Sequence, residues 1–256
     1  MPGIQIKVLD KAVQVIELLA KSNRGVRLKD AIQALALNKT TALRILRALE
    51  SHNLAARDGA GTFVLGSRVL WWENCYRRNF ELLAVVRPVL ERLRDLTSET
   101  VTFSILMDKR TVVIDQVVSP NVISTRFELG SSAPLNAGAS GRVILAHLDS
   151  EKRKEFLRQS HLDRLTQRTI TDRIQLEREL EKCRAKGFAI SKGERFPNTS
   201  SVAGPIFGSD GEVLGVVSVI GPSDRLTSVR LREIAPVLLK EARLLTEQVR
   251  RTSTAP

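Results

Sequence analysis

The chain has 256 residues, 43% apolar and 27% charged, which excludes global disorder, collagen and a disulfide scaffold and leaves room for one large domain or two modest ones. Forty Lys and Arg against 28 Asp and Glu give a formal charge of +12, densest over residues 1–78 with 13 basic and 6 acidic side chains, the balance expected of a chain whose partner or ligand is anionic. Two cysteines without CxxC spacing exclude a zinc ribbon, no apolar run approaches the roughly 18 residues of a membrane span, and MPGIQIKVLDKAVQV lacks signal-peptide order, so a cytoplasmic chain with no membrane partner is expected.

The spacing predicts a first helix from Asp10 to Lys21, with Val13, Ile16, Leu19 and Ala20 on its apolar face. Leu28 to Leu35 reads as a short second helix, and Asn38 caps a third that runs to about His52. Only Ala36 and Leu37 lie between the second and third, the tight joint of a helix-turn-helix. In the third helix Ala42, Ile45, Leu46 and Leu49 make the core face, while Thr40, Arg44 and Arg47 project from the opposite side. Leu54 to Leu65 reads as a hairpin about Asp58-Gly59-Ala60-Gly61, which completes a winged helix-turn-helix. The third helix would enter the major groove of double-stranded DNA, and the hairpin tip with Arg57 would approach backbone phosphate or the minor groove. Lys39, Thr40 and Thr41 at the helix start suit phosphate, and Arg44 suits the O6 and N7 edge of guanine.

Trp71, Trp72 and Tyr76 read as packing aromatics at an interdomain or dimer contact rather than stacking platforms for bases. The helical stretch Asn79 to Thr97 contains Pro88, so a linker helix ending near Val86 and a new helix from Pro88 are expected. The domains are then 1–78, a linker over 79–87, and 88–252. Beyond Thr100 the period becomes two: TVTFSILM, RTVVIDQVV and VISTRFEL read as strands, and SSVAGPIF with EVLGVVSVI as a hairpin across Ser209-Asp210-Gly211. Helices are expected over 141–148, 150–159, 172–186 and 230–250, giving an α+β class domain on a largely antiparallel sheet. Ser140 in GASGR is not a nucleophile elbow, since Arg142 stands where glycine is required; His52 belongs to the DNA-binding part, and neither His147 nor His161 has an acidic orienter at a recognisable spacing. No cofactor or metal is implied. The N–H groups opening the Gly141 helix, with Ser140, either cradle a carboxylate or merely cap the helix.

Two groups of residues then resemble one family. The segment AVQVIELLAKSNRGVRLKDAIQALALNKTTALRILRALESHNLAARDGAGTFVLGSRVL, and APLNAGASGRVILAHL together with KGFAISKGERFPNTSSVAGPIFGSDGEVLGVVSVIGPSDRL, are similar to the IclR family of bacterial transcriptional regulators. The resemblance implies a winged helix-turn-helix, a linker helix and a GAF-like effector-binding domain, in homodimers that pair into tetramers on operator DNA and answer to a small organic or aromatic acid. The family's recognition pattern falls on Asn38, Lys39, Thr40 and Thr41, with its arginine on Arg44; Ala36 stands where glycine is usual and Leu43 where histidine is common. Its effector positions fall on Val122, Ala139, Ser140, Gly141, Ser191, Ser201, Ser218 and Ile220. Serine replaces an acidic residue at 191 and a cysteine at 201, and isoleucine replaces a polar residue at 220, which makes this pocket less acidic and more apolar than some relatives' pockets. The reading is a non-catalytic regulator; the alternatives are a small-metabolite enzyme using the C-terminal pocket and a constitutive DNA-binding protein without an effector.

Overall fold

Apolar spacing sets the first elements of the computed structural model, which describes residues 6–79 and 82–253: α1 (Lys7–Lys21), α2 (Leu28–Ala34), α3 (Lys39–Ser51), β1 (Ala55–Arg57), β2 (Phe63–Leu65) and α4 (Arg68–Asn79). They belong to one compact unit, Met1–Phe80, and everything after belongs to a second, Glu81–Pro256. In the first unit Val15 and Leu19 of α1 meet Ala31, Leu46, Leu49 and Phe63 in one core. Because α1 turns Val15 and Leu19 inward, Val13 is left 46% exposed, contrary to the face expected from the sequence, and the helix starts at Lys7 rather than after Asp10. The joint after α2 is a Schellman turn: Ala36 sits at φ 48° and the Leu37 N–H donates to Ile32 O at 3.1 Å, while the Leu37 side chain enters the core. β1 and β2 pair antiparallel, Ala55 opposite Leu65, and Val26 adds a bridge to Phe63 with two bonds of 2.8 Å. Trp71, Trp72 and Tyr76 lie inside α4, not ahead of a helix, and are all exposed.

In the second unit α5 (Leu82–Thr97) runs through Pro88 without interruption. The expected break is absent because Pro88 and Ala84, whose carbonyl loses its helical donor, both face solvent, so the missing bond does not strand a polar group in the core. The second unit's sheet comprises β3 (Thr100–Met107), β4 (Arg110–Val117), β5 (Ser132–Pro134), β6 (Ala189–Lys192), β7 (Thr199–Phe207) and β8 (Val213–Pro222). All neighbours are antiparallel, in the order β5-β4-β3-β8-β7-β6. Helices α6 (Ala139–His147), α7 (Ser150–Gln159) and α8 (Arg173–Lys186) build a core with Ala203 and Val216 on one face. The opposite face carries α5 and α9 (Ser228–Ser253), joined by the Arg92–Glu241 ion pair at 2.8 Å.

The segment VISTRFEL is a loop, not a strand. Side chains replace the ladder there: Gln116 Oε1 accepts from Phe127 N–H at 3.0 Å, Gln116 Nε2 donates to Phe127 O at 2.5 Å, and Thr100 Oγ1 donates to Thr125 O at 2.6 Å. Phe127 is thereby set against Val113 and Ile220 on the sheet.

Candidate functional site

In the first unit, α3 buries Ala42, Ile45, Leu46 and Leu49, and at 100° per residue that leaves Thr40, Arg44 and Arg47 on one exposed row opposite. Asn38 Oδ1 accepts the Thr41 N–H at 2.7 Å, while the Lys39 and Thr40 N–H groups have no acceptor among the described residues. The start of α3 therefore offers two backbone donors, the Lys39 ammonium and the Thr40 hydroxyl at the positive end of a helix, an arrangement suited to a phosphate. Asp58 Oδ1 accepts from the Ala60 and Thr62 N–H groups at 3.0 and 2.7 Å, which folds the hairpin tip, and the Arg57 guanidinium lies 5.5 Å over the Phe63 ring. Lys7 and Lys11, which the sequence reading did not select, line one groove with Arg44 and Arg47. Their signal was hidden because they stand on another helix, and only the packing of α1 on α3 brings the four cations together.

In the second unit the sheet face that carries α6 ends in a small cavity. Thr102 and Ser104 of β3, Ser191 of β6, Ser201 of β7 and Ser218 and Ile220 of β8 line it, with Ala139 and Ser140 at the start of α6 and Phe127 and Arg195 at loops. Its free volume is about 30 Å³, room for a water or two. The cavity is polar because strand alternation makes it so: in Val101-Thr102-Phe103-Ser104 the apolar residues face α5 and α9, and the hydroxyls face the cavity.

A buried ion pair fixes the cavity's rim. Arg142 Nη1 lies 2.6 Å from both Glu194 oxygens, and Arg142 Nη2 donates to Ile190 O. Glu194 Oε2 also accepts the Gly138 N–H at 3.2 Å, so one carboxylate ties the loop after β6 to the entry of α6. Gly138 makes that entry at φ 97°, in the left-handed region that favours glycine. The Thr166 and Thr169 hydroxyls donate to Gly193 O and Glu194 O, each at 2.6 Å. The next residue, Arg195, is held by this arrangement with its guanidinium 4.7 Å from the Phe127 centroid and 5.3 Å from that of Phe196. Burial, and secondarily the nearby Arg110 charge, lower its pKa to about 10.

The structure thus brings Ala139, Ser140, Ser191, Ser201, Ser218 and Ile220 to one cavity. It does not bring the other two expected residues there. Val122 is wholly exposed, because the loop that replaced its expected strand turns it outward. Gly141 is buried against Leu135, whose carbonyl would collide with any side chain at 141, so its role is close packing. Sequence reasoning missed Thr102, Ser104, Phe127 and Arg195. The alternation of hydroxyl and apolar residues in TVTFS was a usable signal for the first two; Phe127 and Arg195 stand on loops where no periodicity marks them. No histidine lines the cavity; His147 stands at the far end of α6 with Nδ1 2.9 Å from Val143 O.

Sequence profiles of known families match the chain twice, as the IclR helix-turn-helix domain over residues 8–59 and as the bacterial transcriptional regulator IclR C-terminal domain over residues 75–247. The HTH-type transcriptional regulator BhcR of Paracoccus denitrificans is 31% identical over 241 residues, covering 94% of this chain and 86% of its own length. The transcriptional repressor IclR of Escherichia coli is 26% identical, covering 94% and 89%. Among solved structures, an IclR homologue of Microbacterium hydrocarbonoxydans complexed with 4-hydroxybenzoate superposes with a TM-score of 0.78 at 24% identity, covering 93% of this chain and 99% of its own.

Proposed function

The chain belongs to the IclR family of bacterial transcriptional regulators, and from that premise we propose that it binds a specific operator through α3 and the hairpin and that a small organic acid in the cavity of the second unit sets its operator affinity. It is a regulator, not an enzyme, with a helix-turn-helix unit and a C-terminal ligand-binding domain. The observation that carries the DNA reading is the exposed row Thr40, Arg44 and Arg47, backed by a buried face that fixes its direction. Arg44 contacts a guanine edge, Arg47 and Lys39 contact phosphates, Thr40 and Thr41 seat the helix start on the backbone, and Arg57 reaches the flanking strand from the hairpin. The exposed Leu70, Trp71, Trp72 and Tyr76 on α4, with Ile6, Val8 and Leu9 at the start of α1, support assembly as a two-fold dimer. Two such units read half-sites about 34 Å apart, and dimers pair into tetramers. A ligand that favours one spacing of the two α3 helices needs a coupling of about 1–3 kcal/mol to switch occupancy. Such a protein works where the chromosome is, in the cytoplasm.

Selection of genomic fragments by the purified protein at stated salt, followed by sequencing, tests the reading. Recovery of an inverted repeat with half-sites one helical turn apart is the expected result. Fragments without a shared motif, with affinity following salt alone, would reduce the charge of +12 to non-specific attraction.

A further inference from the structure

We propose that α1 is a second element that contacts DNA, its Lys7 and Lys11 holding backbone phosphates beside the bases that α3 reads; this rests on the operator reading above and extends it to a helix outside the α2–α3 pair. The groove between α1 and α3, about 620 Å³ in volume, is lined by four cations, Lys7, Lys11, Arg44 and Arg47, and by no Asp or Glu. None of the four has an ion pair or a side-chain hydrogen bond among the described residues. Lys7 and Lys11 stand one turn apart on the same face, where like charges oppose the helix that carries them. An acid is at hand and is not used: Asp10 lies three residues from Lys7 and one from Lys11, yet among the described residues it pairs with neither. Lys21, at the other end of α1 and outside the groove, is the ordinary case, 4.0 Å from Glu17 one turn back.

The walls of the groove sharpen its charge. Val8, Ala12, Ile45, Ala48 and Leu49 floor it, and a cleft of one charge sign with low-dielectric walls concentrates its field and draws in the opposite charge. The occupant must also match what lies beyond the groove. Arg44 and Arg47 belong to the exposed row that begins at Thr40, and Lys39 stands at the start of the same helix, so the cations form a band across two helices rather than a single closed site. An acidic peptide lying in the groove would answer four charges and leave the rest of the band unmet. Duplex DNA, with one negative charge per about 1.7 Å of its axis, answers the whole band at once. The roles then divide by helix: Arg44 reads a base edge, while Lys7 and Lys11, compact charges on flexible stems, position the duplex without reading its sequence.

The test is the salt dependence of binding by the full chain to the operator duplex that fragment selection recovers. The double variant Lys7→Gln/Lys11→Gln should lower the slope of log affinity against log salt by about 1.8 for each bound protomer, so that going from 50 to 200 mM salt weakens the parent by about twelvefold more per protomer than the variant. Its loss of affinity should be the same on operators altered at any base pair, unlike that of Arg44→Ala, and its hydroxyl-radical footprint should lose protection at phosphates beside the base pair that Arg44 reads. Both lysines are exposed, so the variant should melt with the parent; the single substitutions, each expected to remove about 0.9 from the slope, serve if the double one folds poorly. Lys7→Arg/Lys11→Arg should keep the parental slope, and so should Lys21→Gln, which removes a charge from the same helix outside the groove. A parental slope and footprint in the glutamine variant overturns the inference, because the groove then faces something other than DNA. An equal change of slope in Lys21→Gln also overturns it, because net charge alone is then at work. If Arg44→Ala still loses operator binding in the same assay, the operator reading survives either failure; if Arg44→Ala binds as the parent does, both readings fall.

Discussion

Single side chains divide here into those that face a partner and those that hold the frame. Arg44 is exposed on α3 without an ion pair among the described residues, so Arg44→Ala should leave stability alone and weaken operator binding by about 1–3 kcal/mol, with relaxed preference at one base pair. A competition assay against operators altered one position at a time checks it, and an equal loss on every sequence would contradict base reading. Arg142 is the opposite case. Its removal strands the buried Glu194 carboxylate, so Arg142→Met should cost about 3–5 kcal/mol in urea unfolding and loosen the entry of α6. His147 packs edge-on to Phe207 with centroids 5.2 Å apart, and burial, the main cause, lowers its pKa from the ordinary 6.5 despite the bond to Val143 O. The folded state therefore binds that proton less readily than the unfolded chain. Stability should be complete above pH 6.5 and fall as pH drops below it; His147→Phe should flatten the melting curve in that window, and an unchanged profile would show that another group carries it.

Elements explain what the sequence revealed and what it hid. In the first unit the cap of α3 and the joint before it were legible because local chemistry determines them, Asn38 capping α3 through its own side chain, whereas Asp10, read as the cap of the first helix, lies inside α1. Ala36 was visible as a departure from the family's glycine, and its φ of 48° supplies the reason for that glycine. An alanine in the left-handed region costs about 1–2 kcal/mol, part of which glycine loses again in the unfolded chain. Ala36→Gly should accordingly stabilise the first unit by up to about 1 kcal/mol in denaturant melts, and destabilisation would show that Ala36 makes a packing contact of greater worth. The helix break at Pro88 failed as an expectation because proline was treated as a stop irrespective of face. Pro236 lies inside α9 in the same solvent-facing way, so the usable rule joins proline to the side of the helix on which its missing bond falls. The strand expected over Val122–Leu129 failed because β-type composition cannot distinguish a ladder from a loop bonded by Gln116 and Thr100. With that loop went the orientation of Val122 and the placement of Phe127. Arg195 was illegible for a related reason: it stands on a loop, and only the folded chain sets its guanidinium beside the Phe127 and Phe196 rings.

For the molecule as a whole, two units with separate cores predict two responses. Operator DNA should raise the melting transition of the first unit, and an effector that of the second, each by its own mass action; differential scanning calorimetry with each ligand checks this, and a single transition answering equally to both would show one cooperative body. The sheet of the second unit adds a different consequence. Its two outer strands are three and four residues long, one ending in Pro134 and the other in Lys192, and short margins closed by a proline and a lysine do not recruit further strands. The sheet is a poor template for its own growth. Copies that associate through this unit would do so by the side chains of its helices and loops, a contact that single substitutions can retune.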